Sequence, residues 1–405
     1  MGASVAVVAA PKAADRKPVA PAGYGFQYNL FTGSEDPIVI EVDVAGPATD
    51  ERRERLDEGI EVVKSAEGSH VIVTGFGCWL GKKSERLAVR RGDGKVLYEF
   101  ALLRLQEVIV GSRGISMTAD LIDELCQRGI RLSLLKYGDS QPYAMVSSPM
   151  LTATVETRRA QIAAYDDSRS LELTKAIIEG KIRNQAKLLK YFGKHLSTAS
   201  PDVFRALEGQ VARLGGEWRR CRGVAGAHIE ECRGTLMAIE GAAGRAYWQG
   251  VAAIIGDKVA FDGREGRGAT DPVNSMLNYG YAILYSQVWG AILNAGLEPF
   301  AGFMHVDRPG KPSLVLDLIE EFRQAVVDRV VLAHVNTGER IGIQDGLLDG
   351  ESRKRVAEKV LERLTSSERY HGGKYQMRSI IQMQARRVAS FLRGGAPYRT
   401  YAFKW

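Results

Sequence analysis

From residue 70 the apolar positions recur every second residue and come in short runs. "HVIV" (70–73), "RLAVRR" (86–91), "KVLYEF" (95–100) and "QEVIV" (106–110) read as strands. Gly92-Asp93-Gly94 separates the second and third runs and marks a β-hairpin with a tight turn. Thr118 then caps "ADLIDELCQRG" (119–129), a short helix closed by Gly129. "IRLSLL" (130–135) and "PYAMV" (142–146) are further strands. After Ser147-Ser148-Pro149 the period changes. Residues 155–165, 171–192 and 203–214 carry apolar side chains at helical spacing, and long helices continue to the end. The pattern therefore predicts an α+β chain: a small N-terminal β-strand-rich domain, 70–149, followed by a large all-α C-terminal domain, 150–405. Residues 1–69 read as an N-terminal extension or linker. Within it 37–44 ("PIVIEVDV") suggests one short strand and the charge-dense 51–64 a helix.

Composition narrows the class without naming a function. Of 405 residues 45% are hydrophobic and 25% charged, the balance of a soluble globular chain. No apolar run approaches the roughly 18 residues that span a bilayer. The apolar residues 1–10 lack the basic flank of a signal peptide, so the cytoplasm is the expected compartment. Cys78, Cys126, Cys221 and Cys232 form no C-x-x-C pair and no zinc spacing, and read as buried reduced thiols. Charge is more informative. The net charge is +7, yet residues 353–405 alone hold 13 Lys/Arg and 3 Asp/Glu, more than the whole excess. Tyr370, Tyr375, Phe391, Tyr398, Tyr401, Phe403 and Trp405 interleave with these bases. Such a mixture suits a nucleic-acid backbone with stackable bases, and equally a solvated basic face.

Three segments carry candidate chemistry. In "IEGAAGRAYW" (239–248) Glu240 sits among small residues, which let helices pack closely and draw a carboxylate inward. An ordinary glutamate at a helix start has the same pattern. In "TDPVNSMLNYGYAILYSQV" (270–288) Thr270 or Asp271 caps a helix with Pro272 at its first position. Asn274, Asn278, Tyr281 and Tyr285 then face either a ligand or the core. In "GFMHVDRPGKPSLVLDLIEEFR" (302–323) His305 precedes a loop with Arg308 and Lys311, and Ser313 caps a helix. Leu314, Leu318 and Phe322 form its apolar stripe, with Asp317, Glu320 and Glu321 on the polar side. Asp317 and Glu320 are i and i+3, neighbours on one face. A histidine with carboxylates suits Mn²⁺ or Mg²⁺, but a wet helix face with a structural histidine gives the same letters. No P-loop, H-E-x-x-H or G-x-S-x-G occurs, which disfavours a P-loop ATPase, a zinc protease and a serine hydrolase.

Taken in order, "EGAAGRAYW", "DPVNSMLNYGYAILY", "GFMHVDRPGKPSLVLDLIEEFR" and the terminal "QARRVASFL…PYRTYAFKW" resemble the CRISPR-associated protein one family, as does the strand pattern of 70–135. The resemblance implies a homodimer, with the β-rich domain as its dimerisation part. It implies a DNA integrase and endonuclease of CRISPR adaptation that joins the 3′-OH ends of a captured duplex into the repeat array by transesterification. The expected partners are double-stranded DNA, CRISPR-associated protein two and, in some members, CRISPR-associated protein four. That last protein's cysteine cluster is absent, since the first cysteine is Cys78. Mg²⁺ or Mn²⁺ would be held by Glu240, His305 and Glu320, with Asp317 as a further catalytic acid one turn earlier. Arg245, Asn274, Tyr281, Arg308, Lys311, Arg386 and Arg387 would contact DNA. Two rivals fit the same residues: a metal-dependent nuclease of branched DNA, and a basic architectural protein that clamps DNA without chemistry.

Overall fold

A computed structural model describes residues 54–57, 60–65, 68–135, 142–146, 155–194, 196–266, 268–344 and 346–403. The possible strand at 37–44, the break at 147–149 and Trp405 lie outside the described residues.

The strand-rich part begins earlier than its alternation suggests. Strands β1 (Glu54–Asp57), β2 (Ile60–Ser65) and β3 (Gly68–Val73) pair antiparallel in succession. The helix expected over 51–64 is thus replaced by two strands, and the boundary drawn at residue 70 cuts through a sheet. Charge density suggested a helix there, but Ile60, Val62 and Val63 are β-branched, and β-branched side chains fit a pleated surface. Ile60 is completely buried. A chain beginning at Ala66 loses that burial, worth about 1.5–3 kcal/mol, and bares the edge of β3. We expect a clearly lower melting temperature for it, since residues 60–65, read from sequence as part of an extension or linker, belong to the sheet. An unchanged melt would mean that β2 adds nothing.

Of the remaining strands, those at 86–90, 96–101, 105–110, 131–135 and 142–146 match the sequence reading, and those at 79–83 and 116–117 were not anticipated in it. Strands β4 (Trp79–Lys83), β5 (Arg86–Arg90) and β6 (Val96–Ala101) form a meander, with the expected turn at Gly94 (φ 84°). Strand β7 (Leu105–Val110) returns parallel to β3, and β8 (Ser116–Met117) lies beside β4. Helix α1 (Ala119–Gln127), capped by the Thr118 hydroxyl, crosses over to β9 (Arg131–Leu135), which pairs with β10 (Pro142–Val146). The result is a six-stranded sheet, β1-β2-β3-β7-β9-β10, packed on a four-stranded one, β6-β5-β4-β8.

Alternation along the central strands explains how the two parts join. Val71, Val73, Val108 and Val110 face the core between the sheets, whereas Ile72 and Ile109 point the other way, into the helical core. A strand buried on both faces reads as a continuous apolar run, as "HVIV" and "EVIV" do. Glu107 is buried at this seam. It accepts hydrogen bonds from Ser286 (3.0 Å) and Gln287, and lies 3.3 Å from His70 and 3.6 Å from Arg131. Burial pushes its carboxyl up, but the charge of Arg131 and the hydrogen bond with His70 outweigh that and hold it below the ordinary range.

Helices α2 (Val155–Ala163), α3 (Ser168–Gly193), α4 (Leu196–Ala199), α5 (Pro201–Gly223) and α6 (Ile229–Ile255) follow. Next come α7 (Pro272–Asn294), α8 (Ser313–Ile319), α9 (Arg329–Thr337), α10 (Gly350–Thr365) and α11 (Met377–Leu392). Two short hairpins interrupt them, Ile343–Gln344 with Leu347–Leu348 and Ser367–Tyr370 with Gly373–Gln376. Helix α7 is apolar all round and buried along nearly its whole length, the centre of the large part. Gly280 on it meets Val327, and a Cβ there would stand 2.6 Å from the valine methyl. Among the described residues no helix is long and apolar enough to cross a membrane. Cys78, Cys221 and Cys232 are free and buried, as read, whereas Cys126 is free but only half-buried.

The aromatic tail is interior. Tyr398, Tyr401 and Phe403 are each at most 9% exposed. The chain from 398 to 403 lies along α3. Asn184 donates to the carbonyls of Glu321 (2.9 Å) and Tyr401 (3.1 Å), and Lys187 to that of Phe403 (2.6 Å). Gly180 stands under Thr400, where any Cβ would collide with its hydroxyl. The Tyr398 hydroxyl (2.6 Å), the Tyr401 N–H (2.9 Å) and Gln384 (2.8 Å) all donate to the buried carboxylate of Glu321.

Candidate active site

Glu240 sits midway along α6, and Lys181 reaches it from α3. The small residues beside Glu240 are not where α6 comes closest: a Cβ at Gly244 would meet nothing within 4 Å. At Gly250, three turns on from Glu240, a Cβ would stand 2.7 Å from Leu189 of α3. The Lys181 ammonium donates to Glu240 and lies 2.6 Å from Glu320 Oε2. Glu320 is the first residue past α8, at the start of a broken turn that widens into a π-turn at Gln324–Asp328. Arg323, three residues on, places its Nε 3.3 Å from Glu320 Oε1. Burial alone would raise the Glu320 carboxyl, but Arg323 and Lys181 hold it well below the usual carboxylate range. Burial likewise opposes the charge of Lys181, and Glu320 and Glu240 overcome it, so the amine stays protonated.

His305 comes from the loop before α8. Gly302 permits the loop to press on the helix start, where a Cβ would stand 2.6 Å from the Ser313 side chain. Ser313 was expected as the cap. It is instead the first helical residue, and its hydroxyl accepts the Gly302 N–H at 2.9 Å. Asp317, fully buried, collects the N–H groups of Phe303 (2.7 Å), Met304 (3.0 Å) and His305 (3.0 Å). Its Oδ1 also lies 2.7 Å from His305 Nδ1. That contact puts the ring proton on Nδ1 and leaves the Nε2 lone pair free. The helix read as having one wet face is buried all round: Asp317, Glu320 and Glu321 are at most 5% exposed.

A second layer stands behind Arg323. Asp328 accepts from the hydroxyls of Tyr247 (2.6 Å) and Tyr281. Arg323 and Arg264 both stack on the Tyr281 ring, 4.6 and 5.3 Å from its centroid. Arg264 in turn donates to Asn274 (3.0 Å) and Asn278 (2.6 Å). Asn274 and Tyr281, expected to meet DNA, are each 1% exposed with their polar atoms engaged inside. Their place is to hold the loop at 263–266 and the guanidinium of Arg264. Burial and the Asp328 charge push the Tyr281 hydroxyl well above an ordinary phenol.

Of the other candidates, Arg245, Arg308 and Arg386 are exposed and Lys311 is half-buried. Arg387 is half-buried too, donating to Tyr370 (3.0 Å) and His371. The aromatics among the tail's bases mostly leave the surface. Tyr370, Phe391, Tyr398, Tyr401 and Phe403 are buried, and Tyr375 is exposed. The interleaving seen in the sequence is therefore largely core packing.

Three residues of the site went unread: Lys181, Arg323 and Arg264. Lys181 had a signal. It stands four residues after Ile177 and four before Gln185, both buried, where the helical period calls for an inward side chain. Arg323 is i+3 from Glu320, also legible. Arg264, in a glycine-rich loop, had none.

Among the described residues Glu240, His305 and Glu320 do not converge on one liganding point. Lys181 ties the two carboxylates, and Asp317 ties the histidine. The donor types still fit a divalent cation. Two carboxylates and an imidazole suit Mg²⁺ or Mn²⁺, and Glu320 Oε2 is buried with no well-directed hydrogen bond.

Two packed sheets, a helical part joined to them through one core, and a site of paired carboxylates, cations and an oriented histidine define a two-part α+β protein. Residues 71–362 match the family model described as CRISPR associated protein Cas1. The CRISPR-associated endonuclease Cas1 1 of Archaeoglobus fulgidus is 35% identical over 349 residues, 83% of this chain and 99% of that protein. The chain belongs to the Cas1 family. Two solved structures share the fold. A casposase bound to integration product superposes with TM-score 0.66 at 21% identity, over 80% of this chain and 90% of that one. A chain of the Cas6-RT-Cas1–Cas2 complex does so with TM-score 0.65 at 20% identity, over 83% and 36%.

Proposed function

We propose that this protein is a metal-dependent DNA integrase of CRISPR adaptation. It joins the 3′-OH ends of captured double-stranded DNA into the repeat array and cleaves DNA as the related endonuclease activity. The observation that carries the reading is the meeting of Glu240 and Glu320, far apart in sequence, at one ammonium in a Cas1-family chain. The casposase and Cas1–Cas2 likenesses support it in outline. Repeat DNA and CRISPR-associated protein two are the partners, the working unit is a homodimer, and the compartment is the cytoplasm.

In strand joining the incoming 3′-oxygen bonds to a phosphorus of the repeat as that phosphorus releases its own 3′-oxygen. One phosphodiester replaces another, and negative charge gathers on the phosphoryl oxygens. Bound at this site, Mg²⁺ or Mn²⁺ would supply neutralisation of that charge and activation of the attacking hydroxyl. Glu240, Glu320 and His305 Nε2 are the groups that would hold it. Asp317 is a positioning residue: it fixes the histidine tautomer and the loop. Arg323 balances Glu320, and Asn274, Asn278 and Tyr281 set the guanidiniums of Arg264 and Arg323. The exposed Arg245, Arg308 and Arg386, with Lys311, take the flanking phosphates.

No side chain here serves as nucleophile, since Tyr281 and Tyr285 are buried with hydroxyls raised far above their ordinary value. The nucleophile is the substrate's own 3′-OH. A duplex with 3′-deoxy ends should bind as before and yield no joined product, whereas hydrolytic cutting, which uses water, continues. Undiminished joining from such ends, or a covalent protein–DNA adduct, overturns this reading.

A further inference from the structure

We propose that Lys181 is the resident counter-cation of this site, an ammonium that holds Glu240 and Glu320 together until a divalent ion displaces it. The inference rests on the reading of those two glutamates as ligands. Lys181 lies on the buried side of α3, its side chain 12% exposed, between carboxylates brought from α6 and from the end of α8. Two like charges at such a place repel unless a cation stands between them. Lys181 supplies that cation from within the chain.

The charge count says which group must give way. Glu240 and Glu320 carry two negative charges, and Lys181 and Arg323 two positive ones, so the cluster is already neutral. A divalent ion entering it meets two cations at close range. Arg323 is fixed, stacked 4.6 Å from the Tyr281 centroid and pinned behind by the Asp328 layer. Lys181 is a point charge on a flexible four-carbon stem, and among the described residues no ring stacks on it. Ion binding is therefore an exchange, in which the ammonium surrenders a carboxylate oxygen to the metal. The device holds two carboxylates from separate helices in place through one ammonium.

The test is a titration of the full chain with Mn²⁺ alone, following free Mn²⁺ by electron paramagnetic resonance. Glu240→Gln should weaken binding, which checks the ligand reading itself. Lys181→Met, having lost the competing charge, should bind at least about tenfold more tightly than wild type. Lys181→Arg, which keeps the charge, should not. A second measurement needs no variant. Acetylation of Lys181 by a small amine-reactive reagent, read on its peptide by mass spectrometry, should rise when the wild-type chain is saturated with Mn²⁺. If Glu240→Gln weakens binding but folded Lys181→Met binds no more tightly, the exchange is wrong and the ligand reading stands. If Glu240→Gln changes nothing, the ligand reading fails and the exchange with it. Should Lys181→Met not fold, acetylation that is equal with and without Mn²⁺ sinks the exchange.

Discussion

Glu240→Ala, Glu320→Ala and His305→Ala each reduce strand joining to background while duplex binding stays near wild type. The expectation follows from the separation of roles in the site. In the proposed mechanism the carboxylates and the imidazole would act at the reacting phosphate, whereas affinity for the duplex would come from phosphate contacts along exposed basic residues. Asp317→Ala is a different case. It removes no group from the reacting centre but frees the His305 ring and leaves three buried N–H groups without an acceptor. Losing a partner that orients a ligand costs roughly 10–100-fold in metal affinity or activity. Each stranded N–H costs about 1–3 kcal/mol of stability. Asp317→Ala should therefore lower the melting temperature as well as activity. A gel assay of joined product, run with thermal melts, separates the two patterns. Wild-type joining by any of the first three variants removes that residue from the site, and an unshifted melt for Asp317→Ala removes its structural role.

Deleting residues 398–405 abolishes cooperative unfolding. Tyr398, Tyr401 and Phe403 are buried, and truncating one buried aromatic to alanine costs about 3–5 kcal/mol. Three such losses approach the whole stability of an ordinary domain, about 5–15 kcal/mol. The deletion also takes from Glu321 two of its donors, the Tyr398 hydroxyl and the Tyr401 N–H. Arg386→Glu, by contrast, changes a surface charge. It should leave the melting temperature within a degree or two and flatten the salt dependence of DNA binding by roughly one unit of slope. Circular-dichroism melts and binding titrations at several salt concentrations report both. A truncated chain that melts like the full one would return the tail to the surface, and an unchanged slope would take Arg386 off the DNA.

The tail shows where composition misleads. Bases alternating with aromatics satisfy the requirements of a nucleic-acid surface, yet the same letters serve a strap whose aromatic side chains turn inward. Sequence cannot separate these, because the direction of each ring is set by what lies beneath it. Here that is α3, with Gly180 under Thr400. The asparagines and Tyr281 of α7 were misplaced for a related reason. Polar side chains on an apolar helix advertise a polar partner, and only the fold reveals that the partner is Arg264 and Asp328 rather than a ligand.

Local order was legible where one physical rule acted alone. Alternating apolar residues, the Gly92-Asp93-Gly94 turn, the Thr118 cap and the closing Gly129 determined β3, β5, β6, β7, β9, β10 and α1, though not β4 or the two-residue β8, since pleat, turn and cap geometry depend on near neighbours in the chain. The motifs around Glu240, His305 and Glu320 carried the family and the candidate ligands. Tertiary structure decided the rest. It added β2, whose charges masked its β-branched residues, and it turned Asp317 from an acid on a wet face into the buried anchor of His305. It also set Lys181 between two carboxylates. Ion pairs between distant segments leave no periodic trace in a sequence. Their geometry exists only once α3, α6 and the end of α8 pack against one another.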